Sequence, residues 1–346
     1  MSSAVGIAGL PSQLSSRARR RIMAVLPIAV VVLALGIVPF IGVNNRTLNL
    51  ATTAIILGTA ASGLGFMWGQ SGQTTIAHAS VMGVGAYTAG LVFMRLQVGF
   101  GLALILAIVA GGLVSGLISS LSVRVSGHYF VILTFAVAMV ITAVERRWED
   151  VTGGVNGMTV LPGDESFLGL RLADRMQFYL LCAIVLTLTL IALQSLTYAR
   201  WGTTLRGARE NRHLAWSLGA NVVSNNVRVG VVAGLVAGAA GCMYVFHFRA
   251  IEPGQFSVNA SIFFILMVLL GGRGYLLGPV LGAIVYTFLP ETLFFSPILS
   301  QIALGAILII IILLLPSGLL SLGARIRDHR RAKSAAQASA IGQEGA

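Results

Sequence analysis

Residues 197–221 read TYARWGTTLRGARENRHLAWSLGAN, a charged island set between apolar runs. Arg200, Arg206, Arg209 and Arg212 stand in it with Glu210, while Leu205, Ala208, Ala215 and Leu218 recur at near-helical intervals and Gly219 supplies a C-terminal stop. The spacing predicts a short helix ending at Gly219. Such a helix does not lie in hydrocarbon, because each arginine there costs about 3 kcal/mol on insertion scales. The island belongs outside a bilayer, and the apolar runs on either side belong within it.

Composition agrees. Of 346 residues, 56% are hydrophobic and 10% charged, with a mean hydropathy of +0.89, whereas a soluble domain carries about a quarter charged residues. This excludes an ordinary soluble enzyme. The net charge of +12 does not point to nucleic acid, because the basic residues cluster at span ends and tails instead of forming a groove. The single lysine, Lys333, follows Arg330, Arg331 and Ala332 and not a glycine-rich turn, so there is no P-loop. ATP, if used, is used by a partner, and no cofactor of the chain's own is expected.

Working outward from the island, apolar runs place spans at about 22–43, 48–67, 76–94, 100–123, 129–144, 177–196, 227–248, 258–270, from Gly274 to near 290, and 298–315. The fold expected is all-α, a polytopic membrane helix bundle of about ten transmembrane helices. Its parts are a basic tail over 1–21, a membrane domain over 22–320 and a second basic, disordered tail over 321–346. A long loop at 145–176 lies on one side and the island loop, 197–225, on the other. With both termini placed inside, 16 of the 23 Lys and Arg and 3 of the 11 acids fall inside. That distribution obeys the positive-inside rule and makes the island cytoplasmic.

Small residues mark the packing. Gly230, Gly234 and Gly238 form one four-residue stripe, Ala233, Ala237 and Gly241 a second, and Gly112, Gly116 and Ser120 a third. Such stripes let helix backbones approach closely in lipid. Trp68, Trp148, Trp201 and Trp216 fall at or beyond span ends, as interfacial anchors do. Cys182 and Cys242 lie inside spans, and no Cys/His cluster has metal-ligand spacing, so neither a metal site nor a catalytic set is expected.

One interruption, Gly69, Gln70, Ser71, Gly72, Gln73 and Thr74, breaks the apolar pattern between two spans. It is either a discontinuous helix exposing backbone to a polar path or an ordinary turn at the surface. His78, just beyond it, is a candidate for the same path or a packing histidine. The loop VTGGVNGM, with Gly153, Gly154, Asn156 and Gly157, is a candidate outer mouth or plain turn chemistry.

Several stretches resemble the permease subunits of branched-chain amino acid ABC importers, the M-type subunit above all. They are GLGFMWGQSGQTTIAHASVMGVGAYTAG (63–90), SGHYFVILTFAVAMVITAVERRWEDVTGGVNGM (126–158), LRGARENRHLAWSLGANV (205–222), LLGGRGYLLGPVLGAIVYTFLPE (269–291) and LLLPSGLLSLG (313–323). The order is unbroken from about 48 to 323. Asn211, Arg212 and His213 depart from the family's more acidic and smaller residues, and Gly207 replaces a usual alanine.

The resemblance implies an inner-membrane importer subunit without enzymatic activity. Its partners would be ABC ATPase subunits, a second related permease, a solute-binding protein outside the cell, and lipid. The cargo implied is a branched-chain or other hydrophobic amino acid, with urea, amides or another small solute as the alternative. An ion-coupled secondary transporter is the rival class, disfavoured because the acids read as lying at span ends and in loops. Arg206, Arg209, Glu210, Leu218 and Gly219 stand where the family couples to its ATPases, and Arg212 and Leu214 complete that segment.

Overall fold

A computed structural model describes residues 44–123, 125, 127–160, 166–167, 169–292, 305–306 and 318–320. The expected first span, both basic tails and all but residues 305–306 of the tenth span lie outside the described residues.

The described part is helical, as composition requires. Long helices are α1 (Asn45–Ser71), α2 (His78–Leu96), α3 (Phe100–Ser120), α4 (His128–Arg147), α5 (Arg175–Tyr198) and α8 (Val222–Phe248), each long and apolar enough to cross a membrane. The island forms α6 (Arg200–Glu210) and α7 (Arg212–Ser217). Two shorter helices follow, α9 (Val258–Gly271) and α10 (Gly278–Thr292), of 14 and 15 residues. The strand pairs are minimal. Met158–Thr159 (β1) pairs antiparallel with Ala250–Ile251 (β4), and Ser166–Phe167 (β2) with Leu170–Arg171 (β3).

The glycine stripes act as their spacing predicts. A methyl group at Gly234 would run into the Gly111 carbonyl of α3, and one at Gly238 into Ala107. The two backbones therefore touch along one face of α8. The stripe of Ala233, Ala237 and Gly241 serves other neighbours, with Gly241 against Met82 of α2 and Ala233 offering its carbonyl 2.9 Å from where a Gly63 methyl would stand.

The same order of parts occurs twice in opposite senses. Helices α1 and α8 are both 27 residues long and lie antiparallel, Thr53 meeting His247 at one end of the pair and Gly63 meeting Ala233 further along. Each ends in a left-handed residue, Gly72 at φ 72° or Arg249 at φ 62°. Each is followed by an irregular stretch that re-enters the bundle before α2 or α9 begins. Helix α3 packs on α8, and α10 packs on α1, as a two-fold relation between halves requires.

The two halves meet where α2 and α9 start. The Ala79 N–H donates to Ser261 Oγ at 3.0 Å and Ser80 Oγ donates to the Phe256 carbonyl at 3.2 Å. Sequence echoes the relation faintly, with Gly72, Gln73 and Thr75 answered by Gly254, Gln255 and Ser257, and Ala79–Ser80 by Ala260–Ser261.

Candidate translocation path and coupling face

Contacts sort the loops into two ends. At one end Arg209 Nη1 donates to the Gly69 carbonyl at 2.7 Å, Arg273 lies 5.8 Å over the Trp68 ring, and Trp201 Nε1 donates to Asn225 Oδ1 at 3.1 Å. At the other, Arg46 pairs with Glu291, Arg95 donates to the Asp150 carbonyl, and β1 joins β4. Loops expected on one side of a membrane meet one another, and among the described residues none of these contacts crosses over.

The island departs from the single helix its periodicity predicts. Asn211 is extended, at φ −145°, and its side chain accepts from the Leu214 N–H, so it ends α6 and caps α7. Leu205, Ala208 and Ala215 are buried as expected, and Gly219 takes the left-handed stop at φ 81°. Leu218, read as part of the same stripe, is instead 79% exposed. Arg206, Arg209, Glu210 and Arg212 are exposed too. Leu214 and Trp216 stand out beside Leu218 at 57% and 70% exposed, which makes the free face of α7 apolar with a basic rim. Its position in the sequence gives Trp216 an anchoring role alone, and the exposure of Leu214 and Leu218 beside it reveals its second character.

The interruption at 69–74 divides between a helix end and irregular backbone. Gly69, Gln70 and Ser71 remain in α1, and Gly72 closes it with an ordinary left-handed cap. Residues 72–77 then run as irregular backbone into the bundle. His78 Nε2–H donates at 2.8 Å to Ala60, a position about 16 Å of helix back from Ser71. Polar side chains cover this backbone, as buried irregular chain demands. Thr134 Oγ1 accepts from the Ile76 N–H at 3.1 Å, and Thr75 Oγ1 from Ala77. His78 itself is 1% exposed and edge-on to Phe264 at 5.8 Å between ring centres, the placement of a packing histidine.

Two cavities open at the island end. One of about 350 Å³ is lined by Gly72, Gln73, Thr74, Phe130, Arg209 and Arg212, and one of about 460 Å³ by Gly69, Gln70, Thr197, Arg206 and Arg273. The path residues and the coupling arginines, read separately from sequence, therefore share walls. At the opposite end Gly153, Gly154 and Gly157 all have φ between 63° and 76° and shape a tight loop. Thr152 Oγ1 bonds the Glu145 carbonyl at 2.6 Å, fixing this loop to the end of α4.

These features, re-entrant backbone between long apolar helices and an exposed charged loop on one face, belong to a transport bundle. A family model described as the branched-chain amino acid transport system / permease component matches residues 46–313. The chain belongs to that family. This permease is 25% identical over 315 residues to the high-affinity branched-chain amino acid transport system permease protein LivM of Escherichia coli strain K12, covering 85% of this chain and 74% of that one. It is 24% identical to the LivM of Salmonella typhimurium strain LT2, covering 82% and 71%. It is also 24% identical to the probable LivM of Methanocaldococcus jannaschii, covering 63% and 67%. No solved structure matches significantly. The permease is thus a multi-pass membrane component of a transport system, and its family implies ABC ATPase subunits and a binding protein as partners.

Proposed function

We propose that this permease forms part of the path for branched-chain or other hydrophobic amino acids, delivered by a binding protein and driven by ATP hydrolysed in partner subunits. The observation that carries the reading is the family match over residues 46–313, together with a charged island that touches the path's inner mouth directly. A second, related permease completes the pore. The island end faces the cytoplasm: among the described residues its loops and adjoining helix ends carry Arg200, Arg206, Arg209, Arg212, Arg228 and Arg273 against one acid, Glu210. The coupling residues are Arg206, Arg209, Glu210, Arg212, Leu214, Leu218 and Gly219, joined by Trp216. The inner mouth is formed by Gly69, Gln70, Ser71, Gly72 and Gln73, with His78 supporting it, and the outer loop of Gly153, Gly154, Asn156 and Gly157 meets the binding protein. Reconstituting the permease with its ATPases and binding protein in vesicles tests this. ATP-dependent uptake of leucine, isoleucine or valine is expected. Uptake driven by an ion gradient without ATP would replace the reading with a secondary transporter.

A further inference from the structure

At the end of the bundle opposite the island, a cavity of about 550 Å³ opens where α1 and α5 begin and α8 ends. Arg46, Arg175 and Arg249 line it, one from each helix end, and among the described residues no acid does. The positive-inside rule works against such a gathering at the end away from the island. Two of the three also stand where a helix disfavours them, because Arg46 lies in the first turn of α1 and Arg175 is the first residue of α5, against the partial positive charge of each N-terminus.

Arg249 is held there by an uncommon backbone. It caps α8 in the left-handed region at φ 62°, where α1 uses a glycine, Gly72, at φ 72°. A side chain in that region costs free energy that glycine does not, and here the side chain stands at the cavity wall. Arg46 is answered by Glu291, whereas among the described residues no carboxylate pairs with Arg175. Asp174 beside it is engaged in capping α5, accepting from the Met176 N–H at 3.1 Å. The chain before Arg46 has no charge to offer, since no Asp or Glu precedes Glu145. Much of the remaining wall is apolar. Leu50, Phe178, Phe246 and Phe248 line the same cavity, Phe178 stacks on His247 with 5.9 Å between ring centres, and Phe248 is 43% exposed. Leu50, Thr53 and Leu57 continue from Arg46 along one half-buried face of α1.

We propose that this cavity is a headgroup site for an anionic phospholipid, its phosphodiester held among Arg46, Arg175 and Arg249 and an acyl chain lying on the apolar wall toward Leu57. Guanidinium groups suit that ligand, because each offers paired N–H donors to phosphate oxygens, and basic pockets between membrane helices bind anionic headgroups in this way. A free phosphate would answer the charges but leave the aromatic wall in water, and so would an acidic side chain of a docked protein. A lipid meets both needs at once, at span ends where headgroups give way to hydrocarbon. Bound there, it ties the starts of α1 and α5 to the end of α8. The inference holds whatever the cargo is.

The test is native mass spectrometry of the complete importer in detergent, titrated with phosphatidylglycerol or with phosphatidylcholine of the same acyl chains. The parent is expected to retain phosphatidylglycerol in preference to phosphatidylcholine. Arg175→Gln should weaken that retention about tenfold, the worth of one charge-assisted hydrogen bond, and Arg175→Lys should weaken it less. Arg171→Gln, which removes an exposed charge at the same end but outside the cavity, should leave it unchanged. Co-purification with the ATPases shows that each variant is assembled, and the parent's preference between the two lipids tests the proposal should a variant fail to assemble. Equal retention of both lipids by the parent, or undiminished retention of phosphatidylglycerol by Arg175→Gln, overturns the site. Displacement of the lipid by an equal concentration of inorganic phosphate would make this a free-anion site and overturn the lipid assignment. Weakened capture of the binding protein by Arg175→Gln, with lipid retention unchanged, would overturn it in favour of a protein-docking surface.

Discussion

The Arg209 guanidinium donates to the carbonyl of Gly69 at 2.7 Å, with its aliphatic stem against Gly72, although 140 residues separate Arg209 and Gly69 in sequence. The bond uses one of the carbonyls that the last turn of α1 leaves free. It joins the island to the end of α1, from which the first of the two re-entrant segments departs. A displacement of α6 is therefore felt at the inner mouth without an intermediate element.

Charge reversal follows from that joint. Arg209→Glu with Arg212→Glu should leave the protein inserted and bound to its partners' membrane, while uncoupling ATP hydrolysis from uptake. A charge-assisted bond is worth about 1.5–3 kcal/mol, and less at an exposed site such as this, so uptake is expected to fall by roughly tenfold. Uptake and substrate-stimulated ATPase activity measured together decide it. Persistence of both at parental levels would remove the island from the coupling machinery.

Trp216 and Leu214 supply a separate test, because they touch little in the chain itself. Truncating an aromatic anchor at an interface centre costs about 2 kcal/mol or more, which is about a thirtyfold loss of affinity. Trp216→Ala should thus weaken co-purification of the ATPase while the thermal midpoint of the isolated permease stays where it was. A fall in that midpoint with unchanged partner recovery would make Trp216 a membrane anchor only.

At Gly234 the expected effect lies in the fold. Its missing side chain lets α8 touch α3 at Gly111, and inserting carbon into so close a contact costs about 1–3 kcal/mol or more in strain. Gly234→Val should lower the unfolding midpoint and the yield of assembled importer. Gly207→Ala, at a position with open space around it, is the matched control and should change neither.

Much of this was legible beforehand, and particular residues show where legibility stopped. Hydropathy located every described span, because a bilayer imposes length and apolarity on each helix separately. The small-residue stripe at 230–238 announced a close crossing, though not that α3 was the helix crossed. Asn211 hid its cap because the apolar intervals on either side of it were compatible with one uninterrupted helix. Glu145 was missed for a different reason. Followed by Arg146 and Arg147 at the end of an apolar run, it reads as an interfacial residue, and only the stripe Thr134, Ala138, Thr142 in a helix otherwise apolar hints that it turns inward. The expectation that acids lie at span ends remains correct for its place along the chain, but a place along the helix does not fix the face.

Sidedness can be read directly. A reporter inserted after Leu218, in the exposed left-handed turn at Gly219, should be active in the cytoplasm, and one at Gly169, in the turn between β2 and β3, should be active outside. The reverse result for the pair would invert the orientation while keeping the bundle.

The last expectation concerns selectivity, and it follows from how few fixed charges stand within the described spans. A route lined by neutral groups and backbone makes only weak contacts with the ends that amino acids share, so discrimination among hydrophobic side chains is weak: a missing methylene is worth only about 1–3 kcal/mol even in a well-shaped apolar pocket. Tight retention would also oppose release, since conduction requires sites that hold weakly enough to let go. Side-chain choice therefore belongs to the binding protein. Vesicles lacking it should show uptake near background, and vesicles given one of altered specificity that still docks should transport the new cargo. Selective uptake of one amino acid in its absence would place the selecting pocket within the membrane helices and favour a secondary transporter.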